Sequence, residues 1–213
     1  RPHLPAALDT PATPGRPRHP AAPAPIRSTR APQPRAGPAT LCKYQRMDYA
    51  LYFGRFSEEK GIGTLIKVCK ELPDVQFIFA GTGPLEDTIN GVSNIKNVEF
   101  QRGEALEKLI REARFSIYPS EWYENCPFSV MESQMYGTPV LGAEIGGIPE
   151  LIQVGKTGEL FESSNAEDLK RKVQKLWGDK KLCEQYSKNC KDISFDTIDE
   201  YYEKIMKVYR GEA

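Results

Sequence analysis

Residues 119–142 read PSEWYENCPFSVMESQMYGTPVLG, and they place two glutamates, Glu124 and Glu132, on either side of Pro127. Proline suits the first turn of a helix because it has no N–H group to leave unsatisfied. Pro127 therefore predicts a helix over residues 127–136, with Glu124 in the loop before it and Glu132 projecting from its second turn. The spacing is either accidental or typical of two carboxylates that hold one ligand from two sides.

The chain around this stretch alternates short apolar runs with helical periodicity. Strands are predicted over residues 49–54, 75–81, 97–100, 115–120, 138–142 and 157–161. Further helices are predicted over residues 58–72, 84–92, 104–113, 147–154, 166–179, 180–190 and 196–209. Strands that alternate with helices at this interval indicate an α/β fold, with a mostly parallel sheet and helices on both faces.

The composition changes abruptly near residue 47. Residues 1–47 hold 11 of the 17 prolines, and they carry seven arginines and one lysine against a single acid, Asp9. A segment so poor in large apolar side chains buries too little surface to offset its chain entropy. We therefore interpret residues 1–47 as a disordered Pro/Ala/Arg-rich segment that is foreign to the domain, and residues 48–213 as the folded domain.

Three further features exclude classes of function. Both histidines, His3 and His19, lie in the first segment, so the domain has no imidazole for Ser–His or Cys–His chemistry or for a His-ligated metal. The five cysteines form no C-x-x-C pair and are odd in number, which suits a reducing cytosol. No apolar run reaches membrane-spanning length and no signal-peptide pattern opens the chain. We predict a cytoplasmic protein without a metal site or a nucleic-acid partner.

Chemically distinctive residues follow the predicted strands. Gly54 and Arg55 follow the first strand, with Lys60 five residues further on, and two such cations could close on a diphosphate. Taken alone, ordinary surface charges at a helix start explain them as well. Gly81 and Gly83 follow the second strand in a tight turn that lacks the G-x-G-x-x-G dinucleotide pattern.

The helix after the fourth strand adds an anion-binding element. The N–H groups of Phe128, Ser129 and Val130 fall in its first turn, where the helix dipole favours a negative charge. Carboxylates beside phosphates would repel, so Glu124 and Glu132 more plausibly accept hydrogen bonds from hydroxyl groups. A sugar phosphate or a nucleotide sugar supplies both kinds of group, and in a parallel sheet all these turns share one edge.

The domain resembles glycosyltransferase family 4, the group 1 transferases. The resemblance rests on GRFSEEKGI, GTGPLE, the E-x(7)-E stretch with YGTPVLG, GGIPELI and GKTGELF, which occur in the family's order and span about residues 49–210. It implies a Rossmann-like domain that forms the C-terminal, donor-binding half of a GT-B enzyme. It also implies a sugar transferred from a nucleotide sugar to a glycan or glycolipid, with retention of configuration and without a metal.

The resemblance implies a role for each site residue. Arg55 and Lys60 would neutralise the donor diphosphate, Glu124 would face the transferred sugar and Glu132 would accept from the ribose. Glu124, Arg55 and Lys60 are the predicted catalytic residues. The predicted donor-binding residues are Gly54, Arg55, Lys60, Gly81, Gly83, Gln101, Arg102, Glu124, Phe128, Ser129, Val130 and Glu132.

The chain departs from the family pattern in two places. The family's N-terminal acceptor domain is missing, so we expect this chain to bind a donor without transferring sugar, with exposed apolar surface that favours self-association. The segment after the third strand is shorter than usual and lacks a glycine directly after the strand. Base recognition near Gln101 and Arg102 is therefore expected to differ from the family pattern. The alternatives are an epimerase or phosphorylase on the same architecture and a binding or scaffold module without turnover.

Overall fold

The computed structural model describes residues 46–212 and contains one six-stranded sheet with helices around it. The strands are β1 (Ala50–Phe53), β2 (Phe77–Ala80), β3 (Ile95–Asn97), β4 (Phe115–Tyr118), β5 (Val140–Ala143) and β6 (Gly158–Phe161). The helices are α1 (Ile62–Glu71), α2 (Glu86–Ile89), α3 (Glu104–Glu112), α4 (Phe128–Met135), α5 (Ile148–Leu151), α6 (Ala166–Gly178), α7 (Lys180–Asn189) and α8 (Ile198–Arg210).

The sheet is parallel throughout and has the order β3-β2-β1-β4-β5-β6. The chain builds outward from β1 in one direction to β3, then returns to the other side of β1 with β4. Ala50 accordingly pairs with Phe77 of β2 on one side and with Phe115 of β4 on the other. The reversal of strand order between β1 and β4 is the point at which ligands bind in sheets of this type. The predicted α/β class and the Rossmann-like arrangement are confirmed.

Helices cover both faces because alternate strand residues point to opposite sides. On β1, Ala50 and Tyr52 belong to one buried cluster, whereas Leu51 and Phe53 belong to another. The larger cluster includes side chains of α1, α5, α6 and α7. The smaller one includes Ile110 of α3 together with Ala113 and Tyr136, which follow α3 and α4. Buried on both faces, β1 is apolar along its whole length, which is the pattern expected of a central parallel strand.

The helices predicted over 84–92 and 147–154 are shorter in the structure, and two other predicted elements differ in kind. The third strand spans Ile95–Asn97 and overlaps the predicted 97–100 only at Asn97, because Glu99 adopts a positive φ of 58° that turns the chain away from the sheet. The helix predicted over 58–72 is divided by Gly61, whose φ of 68° is left-handed. A short 3₁₀ helix, Glu58–Lys60, precedes that glycine and α1 follows it.

The first described residues, Arg46 and Met47, contact the folded domain, although the prediction places them in the first segment. The N–H of Met47 donates to the carbonyl oxygen of Glu112 at 2.7 Å, and the Arg46 guanidinium donates to Ser187 Oγ at 2.7 Å. Arg46 also donates to the carbonyl oxygens of Ala113 and Gly137. An arginine that bridges three helix ends is part of the domain. The prediction for residues 1–45 lies outside the described residues.

Candidate functional site

The candidate site lies at the carboxyl ends of β1, β2 and β4, beside the reversal of strand order. The segments that follow β1 and β4 meet there because Gly61 has no side chain. A Cβ added to Gly61 would overlap the carbonyl oxygen of Pro119. The N–H of Glu121 donates to the carbonyl oxygen of Glu59 at 3.0 Å, and the Thr64 hydroxyl donates to the Glu121 carboxylate at 2.6 Å. We call this contact the β1–β4 loop joint.

An ion pair between Lys60 and Glu124 lies beside this joint. The side chains are 27% and 19% exposed, so the pair is half-buried. The Ser120 hydroxyl lies 3.3 Å from the same Glu124 oxygen, and Lys60 Nζ lies 3.5 Å from the Tyr118 hydroxyl. Burial acts to lower the pKa of Lys60, but its hydrogen bond to Glu124 and the nearby Tyr118 outweigh burial and raise that pKa. Lys60 is therefore held in its charged form.

A cavity of about 480 Å³ opens on the other side of the β1 end. Its walls combine glycine backbone with one exposed aromatic ring and four polar side chains. The lining residues are Phe53, Gly54, Arg55, Ala80, Gly81, Thr82, Gly83, Phe100, Gln101, Leu106 and Ser129. The turns after β1 and β2 pack backbone to backbone. This contact requires glycine at position 81, because a Cβ there would overlap the carbonyl oxygen of Gly54. A ligand in this cavity would meet peptide groups directly.

The turn that carries Arg55 is supported from within the core. Tyr52 is 2% exposed, and its hydroxyl donates to the carbonyl oxygen of Arg55 at 2.7 Å. The Tyr52 ring lies 5.4 Å from Phe79 and 6.0 Å from Phe56, centroid to centroid. Arg55 itself is exposed and takes part in no ion pair with the described residues. Its guanidinium is therefore available to a ligand at the cavity wall.

Helix α4 begins at this site with Pro127 as its N-cap residue. The N–H of Val130 donates to the carbonyl oxygen of Pro127 at 3.1 Å, and its side chain is buried. Only the N–H groups of Phe128 and Ser129, of the three predicted to face a phosphate, lack an internal acceptor among the described residues. Glu132 is half-buried and accepts no hydrogen bond from the described residues; burial raises its pKa.

The loop before α5 packs against the loop that carries Glu124. The N–H of Gly147 donates to the carbonyl oxygen of Glu124 at 2.6 Å. A Cβ at Gly146 would lie 2.6 Å from that same oxygen, and one at Gly147 would overlap the carbonyl oxygen of Asn125. The two glycines thus allow the close approach that fixes the height of Glu124 above the sheet.

The structure brings most predicted site residues together, in two groups. The cavity gathers Gly54, Arg55, Gly81, Gly83, Gln101 and Ser129, whereas Lys60 and Glu124 form the ion pair beside it. Arg102 is exposed and does not line the cavity, and Phe128 is 73% exposed. Lys60 pairs with Glu124, although Arg55 was its predicted companion.

Sequence reasoning missed several neighbours of the site: Tyr52, Thr82, Phe100, Tyr118 and Ser120. For all of these except Phe100, the available signal was a hydroxyl-bearing residue within an otherwise apolar strand or up to two positions after it. Among residues 46–212, no group of three or more His, Cys, Asp or Glu side chains is placed to hold a metal ion. Within the same range, no helix is long and apolar enough to cross a membrane.

Comparison with known proteins gives a consistent result. The family model described as "Glycosyl transferases group 1" matches residues 40–192, a range that begins inside the segment predicted to be foreign. The chain is 32% identical over 149 residues to the sulfoquinovosyl transferase SQD2 of Arabidopsis thaliana, a match that covers 67% of this chain and 29% of SQD2. It is 28% identical over 159 residues to an uncharacterized glycosyltransferase of Methanocaldococcus jannaschii, covering 71% and 45%.

The fold has solved counterparts. The structure of HepE from Anabaena in complex with UDP superimposes with a TM-score of 0.67 at 20% identity, over 76% of this chain and 49% of HepE. HepE has also been solved with UDP-glucose. The chain spans less than half the length of each of these proteins.

Proposed function

The chain belongs to the group 1 glycosyl transferases, and we propose that it is the nucleotide-sugar-binding half of an enzyme that transfers a sugar to a glycan or glycolipid acceptor. We further propose that it is a family 4 enzyme and that this domain is its C-terminal half. The observation that carries the proposal is the meeting of two cations, Arg55 and Lys60, two carboxylates and the start of α4 at one edge of the sheet. A nucleotide sugar carries a partner for each of these groups.

The diphosphate is the proposed ligand of the cations. During transfer the bond between the anomeric carbon and the diphosphate oxygen breaks, and that oxygen leaves with the electron pair. Arg55, Lys60 and the N–H groups of Phe128 and Ser129 are proposed to stabilise the developing charge, which is the main task of a site that carries out this chemistry. The acceptor oxygen bonds to the same face of the anomeric carbon, with retention, and its proton passes to the departing diphosphate.

The other parts of the donor are assigned by chemistry. Glu124 is proposed to accept from hydroxyls of the transferred sugar, and Glu132 from those of the ribose. The cavity, with Gly54, Gly81 and Gly83 along its wall and Gln101 beside it, is proposed to take the nucleoside. Arg102 is proposed to contact the base from the rim. No metal is required by this scheme, because two side-chain cations already face the diphosphate.

Transfer is proposed to need a second domain. The acceptor would be bound there, and the site would lie between the two halves. We propose a cytoplasmic enzyme whose full-length form associates with the inner face of a membrane. Self-association of the chain is proposed through exposed apolar side chains, of which Tyr201, Tyr202 and Tyr209 on α8 are examples.

Calorimetric titration of the 213-residue chain tests the proposal. The ligands are UDP, GDP and ADP and their glucose conjugates, and the variants are Arg55→Ala and Glu132→Ala. One nucleotide is expected to bind saturably, and each variant is expected to weaken it about tenfold or more because a hydrogen bond to a charged group is lost. Arg171→Ala is the matched control, since Arg171 is also exposed but lies on α6.

Failure to bind any of the six ligands, in a sample that remains folded by circular dichroism, would contradict the proposal and favour a scaffold role. An activity assay tests the need for a second domain: the chain is mixed with a nucleotide sugar and a glycan or glycolipid acceptor, and the release of nucleotide is measured. Turnover by the chain alone would contradict the proposal that transfer needs a second domain.

A further inference from the structure

Lys60 and Glu124 have opposite tasks in the proposed function, yet they are bonded to each other. Lys60 is assigned to the donor's phosphates and Glu124 to the hydroxyls of its sugar. A ligand whose phosphate forms an ion pair with Lys60 therefore removes the principal partner of Glu124. Among the described residues, Tyr118 also lies within hydrogen-bonding reach of Lys60, at 3.5 Å, and its aromatic ring lies 5.8 Å from the Lys60 nitrogen.

The remaining neighbours of the Glu124 carboxylate are the hydroxyls of Ser120 and Tyr118, which carry no charge to replace that partner. Ser120 is 1% exposed, and its Oγ lies 3.3 Å from Glu124 Oε1, 3.3 Å from the carbonyl oxygen of Glu59 and 3.3 Å from that of Trp122. A hydroxyl has one proton, so it donates to one of these three acceptors at a time. Without Lys60, the half-buried Glu124 carboxylate keeps only uncharged hydroxyl neighbours among the described residues, those of Ser120 and Tyr118.

We propose that Glu124 is a specificity-determining residue that favours a nucleotide sugar over the nucleoside diphosphate released after transfer. The inference rests on the proposed function and deepens it. A nucleoside diphosphate takes Lys60 but supplies no hydroxyl at the sugar position, so a poorly solvated carboxylate faces the phosphates and repels them. A nucleotide sugar takes Lys60 and at the same time offers sugar hydroxyls to Glu124. Binding of the nucleotide sugar thus replaces the ion pair by two contacts, one to Lys60 and one to Glu124. Binding of the nucleoside diphosphate replaces it by only one, to Lys60.

The consequence is a bias toward product release. Before transfer, the Glu124 carboxylate binds the hydroxyls of the donor sugar. After transfer those hydroxyls belong to the acceptor, and the same carboxylate then weakens the binding of the nucleoside diphosphate. Neutralising Glu124 while keeping its shape is expected to have opposite effects on the two ligands. It removes the repulsion felt by the product and the charge-assisted hydrogen bonds made to the donor sugar.

The test compares two ligands on three proteins: UDP and UDP-glucose, or the cognate nucleotide and its glucose conjugate, on the unaltered chain, Glu124→Gln and Glu121→Gln. Glu124→Gln is expected to raise the affinity for nucleoside diphosphate about two- to fivefold and to lower the affinity for the nucleotide sugar by a similar factor. Glu121→Gln is the matched control, because Glu121 lies in the same loop and accepts from Thr64. It is expected to leave the ratio of the two affinities unchanged.

The outcomes separate this inference from its premise. If the unaltered chain binds neither ligand, the proposed function fails. If it binds both and Glu124→Gln weakens or does not change nucleoside diphosphate, the function stands and the inference is overturned. Equal tightening by Glu121→Gln would also overturn it, because the effect would then belong to the charge of the loop in general.

Discussion

Lys60 and Glu124 are 64 positions apart in the chain, yet their side chains form an ion pair. They meet because Lys60 follows β1, Glu124 follows β4, and these strands are neighbours across the reversal of strand order. The β1–β4 loop joint holds the two segments at this distance through Gly61. The site is therefore a product of the crossover between strands.

Replacement of Lys60 by alanine is expected to separate binding from stability. The ion pair is only partly exposed, at 27% and 19%, and its loss leaves the Glu124 carboxylate without a charged partner, so the free energy of unfolding should fall by about 1–2 kcal/mol. Affinity for nucleoside diphosphate should fall about tenfold to hundredfold, because a charge-assisted hydrogen bond is lost. Lys67→Ala, on the exposed face of α1, is the control for both measurements. Unchanged calorimetric affinity would contradict the assignment of Lys60.

Gly61→Ala is expected to destabilise the domain by about 2 kcal/mol or more. The left-handed backbone alone costs about 1–2 kcal/mol for a residue with a Cβ, and the overlap with Pro119 adds to this. Gly63→Ala is the matched control, because Gly63 lies in α1 with open space around it. That change should stabilise the domain by about 0.5–1 kcal/mol. Urea unfolding compares the two variants. Equal changes in the free energy of unfolding would show that the β1–β4 loop joint does not require a residue without a Cβ at position 61.

Gly147→Ala should impair the site through the loop of Glu124. Gly147 has a φ of −83°, so alanine causes no backbone strain there, but its Cβ would overlap the carbonyl oxygen of Asn125 and lie 3.2 Å from that of Glu124. We expect a loss of nucleotide-sugar affinity, measured by titration. Gly178→Ala in α6, where a Cβ meets nothing, should leave affinity unchanged. A Gly147→Ala variant with full affinity would refute the supporting role of this loop.

The two tyrosines of the β1 region provide a matched comparison. The hydroxyls of Tyr52 and Tyr49 each donate to a carbonyl oxygen at 2.7 Å, that of Arg55 and that of Leu109 respectively. Tyr52→Phe and Tyr49→Phe should each cost about 0.5–1.5 kcal/mol of stability in urea unfolding. Only Tyr52→Phe should also weaken nucleotide binding, because it loosens the turn that carries Arg55. Equal binding by the two variants would count against this support.

Glu132 should make stability depend on pH in a particular direction. Burial raises the pKa of its carboxyl in the folded protein above the unfolded value, so the ionised form destabilises the fold at neutral and higher pH. That cost diminishes as the pH falls through the folded pKa and vanishes below the unfolded value, about 4.3.

Glu132→Gln should therefore stabilise the domain at about pH 8, by less than about 1 kcal/mol, and give no gain below about pH 4. The same variant should bind nucleotide more weakly. Unfolding curves at both pH values check the first expectation, and a gain that grows toward low pH would contradict it.

The local pattern was sufficient to locate the sheet. Five of the six strands coincide with predicted runs to within two residues, because short apolar runs bounded by turn residues are typical of strands in a parallel sheet. The third strand was placed too late, since the turn after it is made by Glu99, a non-glycine residue with a positive φ. The division at Gly61 was missed for a related reason, because the helical periodicity continues across a glycine whose conformation depends on the close approach of Pro119.

By itself, the sequence determined the fold class, the family resemblance and the set of residues at the strand ends. These depend on periodicity, turn residues and motif spacing, which are properties of neighbouring positions. Only the tertiary structure decided that Lys60 pairs with Glu124, that Arg55 and Gln101 share one cavity while Arg102 lies outside it, and that Arg46 belongs to the domain. Those relationships depend on strand order and on backbone approach at Gly61 and Gly81, because residues far apart in the chain meet only once the sheet is assembled.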